Sequence, residues 1–428
     1  MTSRLRAAIT GLGAVSGFGD GAELLWRALL EGKRAVRPSP ALVTLGLEGV
    51  IAWRPGEDPL APGDRATTHA LVAAREAFED ARLPALDGDT LAVTFGTTLG
   101  AIGKWLDIQR SGAIGSDIDR RHARRASPAH AVAAAHGARG PVLVASTACA
   151  SGNAALGLAL DLVRSGRAKV VLAGGGDALN DFVIAGFASL KALDPAPCRP
   201  FDKDRRGLNL GEGACFLVVE EEGHARARGA TIRGFLDGYG DAADANHMTG
   251  PDRDGAGAAR AMVAALADAA AQPGEIDFVS AHGTATGFND LMEAHALARV
   301  FDAAASQTAR NDARASQPGF LDALASQAGK NDARASQNDA RASNVPVNSI
   351  KGALGHTLGA AGVFEALMCI RTMEQSSIPP TVGLVERDPA IALDLVTGGP
   401  RAAVVRTALS TSSGFGGTNA AIVLRSAR

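Results

Sequence analysis

Short apolar segments alternate with longer helical patterns along most of the chain. Segments 141–146, 169–173, 276–281 and 345–350 have the length and composition of buried strands. Between the first two, apolar residues recur at helical spacing from 154 to 163, and Gly166 follows as a stop signal. This alternation predicts an α/β fold with a largely parallel sheet. Similar units recur after about residue 235, so we expect two halves of similar build.

Composition narrows the class of protein. Hydrophobic residues make up 46% of the 428 residues and charged residues 21%, as in ordinary folded proteins. The net charge of −2 argues against a general nucleic-acid binder. No apolar run reaches the ~18 residues of a membrane helix, and early turn glycines argue against a signal peptide. These features predict a cytoplasmic protein without membrane insertion.

One segment departs from the α/β pattern. Ala-Ser-Gln begins at positions 305, 315, 325 and 335, so about residues 305–343 repeat with a period of ten. The segment is polar, rich in small residues and poor in residues that could pack in a core. We interpret it as an expanded surface loop without an assigned function.

Cys149 is the first candidate for chemistry. It lies in Ser-Thr-Ala-Cys-Ala-Ser-Gly-Asn (146–153), between a predicted strand and a predicted helix. The start of a helix favours a thiolate, and its free N–H groups can hold an oxyanion. The alternative is a small buried apolar residue, as expected for Cys198, Cys215 and Cys369. No pair of cysteines has C-x-x-C spacing, which excludes a disulfide scaffold and a cysteine-rich zinc module.

His282 and His356 also follow predicted strands. The carboxyl ends of parallel strands are where open α/β sheets place ligands, so these histidines are candidates for a shared site with Cys149. A metal site made of the cysteine and both histidines is the alternative. The three residues lie far apart in sequence and include no close pair of ligands, which makes zinc the weaker interpretation.

Two glycine-rich stretches are candidates for binding loops. Residues 11–17 resemble a dinucleotide fingerprint only superficially, because the preceding strand is short and no acidic ribose ligand follows. Residues 413–419 lack the lysine of a phosphate-binding loop. A tight turn that brings backbone N–H groups to a reacting centre fits them better.

Several motifs together resemble the β-ketoacyl-acyl-carrier-protein synthases, of the thiolase-like superfamily. They are Cys149 in Thr-Ala-Cys-Ala-Ser-Gly, His282 in Ala-His-Gly-Thr-Ala-Thr, Lys351 and His356 in Lys-Gly-Ala-Leu-Gly-His, and the closing Gly-Phe-Gly-Gly-Thr-Asn-Ala at 414–420. The type II (elongating) branch is the most similar. The resemblance runs from residue 9 to residue 420, through 199–204 and 211–213.

The resemblance implies a thiolase-like fold of two similar α/β halves in five layers, α-β-α-β-α. Residues 1–235 would form the half that carries Cys149, and residues 236–428 the half that carries both histidines and the repeat segment. It implies a homodimer or a related heterodimer. The partner would be an acyl-carrier protein that brings acyl and malonyl groups on its phosphopantetheine arm, so that no metal and no cofactor of the enzyme's own is expected.

The resemblance also implies roles for single residues. Cys149 would take the acyl chain, and His282 and His356 would act as neutral donors to the enolate formed when malonyl-carrier protein loses carbon dioxide. The carbanion would attack the Cys149 thioester and lengthen the chain by two carbons. The N–H groups of Cys149 and Phe415 would form the oxyanion hole, with Phe415 as the gate of the acyl pocket. Lys351 would be the fourth catalytic residue, which supports the histidines in that role. The residues assigned a supporting role are its acidic partner Glu365, Thr284, Thr286, Asp290 and Glu293.

The resemblance also implies residues that dock the carrier protein, and the sequence departs from the family pattern at two places. Arg124 and Arg125 align with a basic pair that the family uses for docking, and Arg205 aligns with a third; the alternative is a solvated charged face. Ser413 stands where the family usually has phenylalanine, and the segment between Leu193 and Arg199 is short. These departures concern acyl preference and gating.

Three related activities are alternatives to the elongating synthase. A degradative thiolase would place a second cysteine near the C-terminus, and the closing glycine-rich motif has none. An initiating (type III) synthase would have asparagine in place of His356. A non-catalytic chain-length partner would lack Cys149. The sequence leaves open whether the product enters a fatty acid, a polyketide or an aryl polyene.

Overall fold

The structure is a computed structural model that describes residues 4–84, 86–112, 121–311 and 343–428. The strands are β1 (Ala7–Ser16), β2 (Gly19–Asp20), β3 (Arg37–Pro38), β4 (Val50–Ile51), β5 (Leu91–Gly96), β6 (Val142–Ala145), β7 (Val170–Asp177), β8 (Gly213–Glu221), β9 (Gly234–Ala243), β10 (Phe278–Ser280), β11 (Ser343–Asn348), β12 (Ser377–Ile378), β13 (Leu393–Leu395), β14 (Arg401–Ala402), β15 (Thr407–Gly414) and β16 (Thr418–Ser426). The helices are α1 (Ala22–Leu30), α2 (Pro40–Thr44), α3 (Arg65–Asp80), α4 (Ile102–Ser111), α5 (Ser127–Ala135), α6 (Ser151–Arg164), α7 (Asp181–Ser189), α8 (Glu222–Ala227), α9 (Ala256–Asp268), α10 (Asn289–Asn311), α11 (Lys351–Leu354) and α12 (Ala361–Gln375). The loop predicted at about residues 305–343 is wrong for residues 305–311, which continue α10, and for residue 343, which begins β11; the rest of it lies outside the described residues.

The same topology occurs twice along the chain. The first half runs β1-α3-β5-α5-β6-α6-β7-β8, and the second runs β9-α9-β10-α10-β11-α12-β15-β16. Their strands lie side by side in matching orders, β6-β5-β7-β8-β1 and β11-β10-β15-β16-β9, and β1 pairs with β9 to join them. The two halves are therefore similar in build, while a boundary at residue 235 stays a prediction.

The sheet is mixed, so the prediction of a largely parallel sheet is wrong. Strands β5, β6 and β7 are parallel, as are β10, β11 and β15. Each half then adds two antiparallel strands, β8 and β1 in the first and β16 and β9 in the second. The turn at 415–417 between β15 and β16 is too short for a parallel crossover, so the chain must return antiparallel.

Helices lie in three layers around the two groups of strands. Helices α6 and α12 contact each other and strands of both halves, and so form the central layer. Helices α3 and α5 pack outside the first group, and α9 and α10 pack on the other side of the second. This is the five-layered thiolase-like arrangement that the resemblance implied. Because α6 is covered on both sides, ten of its 14 residues are buried, including apolar ones off the predicted stripe.

Two glycines of the 11–17 motif serve packing. Gly11 and Gly13 lie inside β1, where an added Cβ would come within 2.2 Å and 2.1 Å of the carbonyl oxygens of Ala77 and Ala73 in α3. Only glycine lets the helix approach the strand this closely. The motif is therefore strand and not a phosphate-binding turn. None of the helices in the described residues is long and apolar enough to cross a membrane.

Candidate active site

Cys149 lies in a strained turn at the end of β6. The chain leaves the strand at Ala145 and makes one 3-10 turn, Ala148–Ala150, before α6 begins at Ser151. Ala148 has a φ of 50°, which a residue with a side chain rarely adopts. The hydroxyl of Ser151 accepts from the Thr147 N–H at 2.9 Å and donates to the Ala148 carbonyl, which holds the turn in place.

The Cys149 thiol does not match the predicted resting thiolate. Its side chain is 6% exposed, and burial raises its pKa to about 12. The positive charge of Lys351 acts in the opposite direction and lowers the pKa, but by less than burial raises it. The shift favours the protonated thiol in the free enzyme, because the cost of removing an anion from water exceeds the stabilisation that the start of a helix provides.

His282 and His356 lie next to each other at the carboxyl ends of β10 and β11. Their ring centroids are 5.3 Å apart and their planes meet at 84°. Both are buried, and burial lowers the pKa of each well below its usual range, with the charge of Lys351 acting in the same direction. Both imidazoles are neutral near pH 7, in agreement with the prediction of neutral donors.

A backbone contact fixes the tautomer of His356. The Leu358 N–H donates to His356 Nδ1 at 3.3 Å, so the ring proton must lie on Nε2. The backbone N–H of His282 donates to Glu293 Oε1 at 2.7 Å, and the N–H of Gly283 donates to the other oxygen at 2.8 Å. Each histidine is therefore held at its backbone, and His356 also through its ring.

Lys351 and Glu365 form a buried ion pair behind the histidines. The Lys351 ammonium donates to Glu365 Oε1, and both side chains are at most 2% exposed. Burial raises the pKa of Glu365, and the Lys351 charge opposes that shift. The pairing that the resemblance implied is present.

A cavity of about 610 Å³ brings the candidate residues together. Cys149, both histidines, Thr284, Thr286 and Phe415 line it. The two threonine hydroxyl oxygens are 2.9 Å apart. Asp290 and Glu293 are not among the lining residues; they are buried and accept backbone N–H groups, Asp290 from Phe201 and Ala285.

The turn that carries Phe415 packs directly on the nucleophile turn. A Cβ added to Gly414 would lie 3.0 Å from the Cys149 backbone nitrogen. The Phe415 side chain is 37% exposed, and its ring centroid is 5.8 Å from that of Phe187 at the cavity wall. Phe415 is therefore placed where a gate would be, while its N–H as an oxyanion donor stays a prediction.

The structure contradicts the docking role of Arg205. Its side chain is only 6% exposed, because it donates to Asp388 at 2.6 Å and to the backbone carbonyls of Asp202, Thr286 and Gly287. A partner protein could not reach a guanidinium held in this way. Sequence reasoning missed its neighbour Arg206, which is exposed and lines the cavity.

Arg124 and Arg125 are exposed, as docking residues would have to be. Neither side chain has an ion pair or a hydrogen bond to the described residues. Both positions therefore remain open to a partner.

Convergent metal ligands occur away from the cavity. Within the described ranges, the group whose ligand atoms converge is Glu57, His69 and Glu212. The Arg65 guanidinium already donates to both carboxylates, at 3.3 Å to Glu57 and 2.6 Å to Glu212. An arginine in that position supplies the positive charge that a metal would bring. The cysteine and the two histidines do not form such a group.

Comparison with known proteins identifies the family. The family model for the beta-ketoacyl synthase N-terminal domain matches residues 58–225, and that for the C-terminal domain matches residues 233–315 and 325–385. The chain belongs to the beta-ketoacyl synthase family. This confirms the resemblance, and the matched segments contain Cys149, His282 and His356.

The similarity to known proteins extends over nearly the whole chain. Nodulation protein E of Rhizobium sp. (strain N33) is 35% identical over 98% of this chain and 99% of its own length. The 3-oxoacyl-[acyl-carrier-protein] synthase 2 of Synechocystis sp. is 33% identical over 98% of each chain. A solved structure, described as a type II PKS acyl-carrier protein in complex with its ketosynthase bound to the hexaketide (AntDE:AntF, apo), is similar with a TM-score of 0.85 and 29% identity. It covers 99% of this chain and 100% of its own.

Proposed function

We propose that this beta-ketoacyl synthase carries out the decarboxylating Claisen condensation of malonyl-carrier protein with an acyl chain held on Cys149. The observation that carries the proposal is one cavity lined by a cysteine and two neutral histidines, whose pKa values are lowered further by a buried lysine. A nucleophile and two uncharged donors are what acyl transfer followed by enolate formation requires.

In the first step Cys149 takes the acyl group from its carrier. The sulfur attacks the thioester carbonyl, the bond to the phosphopantetheine sulfur breaks, and the proton lost by Cys149 ends on the departing thiol. Because burial holds the thiol protonated, the Lys351 charge assists by lowering the pKa of Cys149 as the proton leaves. N–H groups of the packed turns at Cys149 and Phe415 would hold the oxyanion.

In the second step malonyl-carrier protein replaces the first carrier. Its carboxylate leaves as carbon dioxide, and the electron pair moves to the thioester oxygen to give an enolate. Neutral imidazoles can donate to that oxygen, and His356 presents its Nε2 proton because Nδ1 is engaged. The enolate carbon then attacks the acyl-Cys149 carbonyl, and the Cys149 sulfur leaves as a thiolate, which takes a proton from solvent to restore the thiol.

The rival activities fit the cavity less well. A degradative thiolase would need a second cysteine at the cavity, and Cys198, Cys215 and Cys369 are not among its lining residues. A non-catalytic chain-length partner would have no use for Cys149 in the cavity wall. Similar proteins are named as a 3-oxoacyl-[acyl-carrier-protein] synthase and as a putative polyketide beta-ketoacyl synthase, so the acyl class is to be decided by assay.

The proposed partner is an acyl-carrier protein that docks beside the cavity mouth. A carrier protein is bound to the ketosynthase in the similar solved structure. Exposed basic residues that could receive an acidic carrier here are Arg124 and Arg125, with Arg206 in place of the buried Arg205. A second copy or a related chain would cover the edge strand β6, whose apolar residues 142–144 are only half-buried. A cytoplasmic location is part of the proposal.

Mass spectrometry of carrier-bound products tests the function. We expect β-ketoacyl products two carbons longer when the enzyme is incubated with malonyl-carrier protein and a series of acyl-carrier proteins. The preferred acyl group would indicate the pathway. Cys149→Ala should abolish them. His282→Ala and His356→Ala should each lower malonyl decarboxylation by ~10²–10³ while self-acylation partly survives.

The matched control is Cys215→Ala, which removes a buried cysteine outside the cavity and should leave the products unchanged. Near wild-type condensation by the histidine variants would refute the assigned roles. No elongated product from any acyl-carrier protein would refute the function.

A further inference from the structure

Asp177 is a buried carboxylate that the condensation mechanism does not use. It is the last residue of β7 and is 1% exposed. Four groups donate to it: the Thr97 hydroxyl at 2.7 Å and the N–H groups of Thr98 at 2.9 Å, Leu99 at 3.1 Å and Gly359 at 2.7 Å. No cation pairs with it in the described residues. A carboxylate without a counter-ion is stable in the interior only where donors of this kind surround it.

The four donors come from both halves of the chain. Thr97, Thr98 and Leu99 belong to the turn after β5, in the half that carries the nucleophile. Gly359 belongs to the 3-10 turn Leu358–Ala360, in the half that carries the histidines. One oxygen of Asp177 accepts from both Thr98 and Gly359, so a single atom ties the two turns together.

The turn at 358–360 sets the ring of His356. Leu358 has a φ of 54°, a strained conformation that its surroundings must hold. In that conformation its N–H donates to His356 Nδ1, and the next N–H along the chain, that of Gly359, donates to Asp177. An added Cβ on Gly359 would come within 2.7 Å of the Asp177 carboxylate and 2.6 Å of Thr97 Cα. The close contact therefore requires glycine.

The turn at 97–99 supports the nucleophile in the same way. The Thr98 carbonyl accepts from the Ser146 hydroxyl at 3.4 Å, and the Thr97 carbonyl lies 3.4 Å from the Ser151 hydroxyl, whose proton goes to the nearer Ala148 carbonyl. Both serines flank Cys149, and Ser151 also closes its turn. Asp177 thus lies at the junction of the two supports.

We infer that Asp177 is a positioning residue, which holds the turn 358–360 so that His356 keeps its Nε2 proton aimed at the cavity in register with Cys149. The inference rests on the proposed function for the meaning of that proton, but its geometry does not. Without the carboxylate, Leu358 is free to relax, Nδ1 loses its donor, and the two tautomers of the neutral imidazole become mixed.

Asp177→Asn tests the inference. The asparagine amide has the same shape as the aspartate carboxylate, but an NH₂ group replaces one of the two accepting oxygens. Because each oxygen of Asp177 accepts a backbone N–H, that NH₂ group would face another donor. We expect the kcat of malonyl decarboxylation to fall by ~10²-fold with the KM for malonyl-carrier protein unchanged, since a displaced catalytic group loses rate and not substrate. The second readout is the ¹⁵N spectrum of the free enzyme labelled at its histidines. The His356 Nδ1 signal is assigned by its loss in His356→Gln. In Asp177→Asn this signal should move toward the chemical shift of a mixture of the two tautomers.

Two more variants make the test independent of folding. Gly359→Ala breaks the same contact from the other side, so it should reproduce both effects, and the double variant should be no worse than either single one. If Asp177→Asn does not fold, Gly359→Ala carries the same two readouts. The matched control is Asp202→Asn, another 1%-exposed aspartate that accepts backbone N–H groups, from Val385 and Glu386, and should change neither readout.

The outcomes separate the two proposals. A wild-type decarboxylation rate in a folded Asp177→Asn enzyme, or a loss of rate with the His356 signal unmoved, overturns the positioning role. Failure of the wild-type enzyme to decarboxylate malonyl-carrier protein overturns the proposed function instead, and the spectrum of the free enzyme still tests the geometry.

Discussion

Alkylation of Cys149 across a range of pH tests the electrostatics of the cavity. Burial raises the pKa of this thiol to about 12. At pH 8 the thiolate fraction is then about 10⁻⁴, against roughly one quarter for an unperturbed thiol of pKa ~8.5. Iodoacetamide should therefore label Cys149 about 10³-fold more slowly than a free thiol at that pH, and the rate should rise about tenfold per pH unit from pH 7 to pH 10. Cys149 should still be labelled before Cys198, Cys215 and Cys369, which are not among the cavity-lining residues.

The measurement is peptide mass spectrometry of the labelled enzyme at a series of pH values, with N-acetylcysteine in the same tube. The small thiol corrects for the reagent, and its rate should level off above about pH 9. Cys149→Ala shows how much labelling comes from other positions. A Cys149 rate that levels off below pH 8 would mean a thiolate in the resting enzyme, and the argument from burial would have to be abandoned.

Two further predictions concern docking and stability. Replacing Arg124 and Arg125 with glutamate should raise the KM for acyl-carrier protein, most at low salt, and leave a small thioester substrate unaffected. Arg226→Glu, at an exposed arginine that is not among the cavity-lining residues, is the matched control, and equal losses with both substrates would contradict docking. Because burial lowers the pKa of His282 and His356, the unfolded chain binds protons below pH ~6.5 that the folded chain does not, so Tm should fall as the pH decreases below that value. A double variant with asparagine at both histidines should show a smaller fall, and an identical slope would contradict the buried neutral pair.

The position of the active site in the fold could be predicted, because it depends on which residues follow strands in the sequence. Cys149, His282 and His356 each come soon after a strand, and the carboxyl ends of such strands collect at one edge. Residues more than a hundred positions apart therefore meet in one cavity. The family resemblance then supplied Lys351 and Glu365, whose pairing no spacing rule would have indicated.

The burial and the pKa of single residues could not be predicted from the sequence, because both depend on contacts with residues far away in the chain. Arg205 looked like an exposed base in a charged run, but Asp388, 183 residues further on, binds its guanidinium and buries it. The pKa of Cys149 follows the same logic, because a helix start favours a thiolate only where water can reach it. Asp177 carried no motif at all, and only the three-dimensional contact with Gly359 singles it out.

The buried charge of Lys351 acts on the pKa of a group needed in each half-reaction of the condensation. Acyl transfer needs Cys149 to lose a proton, whereas enolate stabilisation needs both histidines to remain uncharged donors. The Lys351 charge lowers the pKa of the thiol, which favours the anion, and lowers the pKa of both imidazoles, which favours their neutral form. Glu365 keeps that charge in the interior by pairing with it. The same cation therefore moves each of the three pKa values in the direction that its half-reaction needs, while burial has the larger effect on each of them.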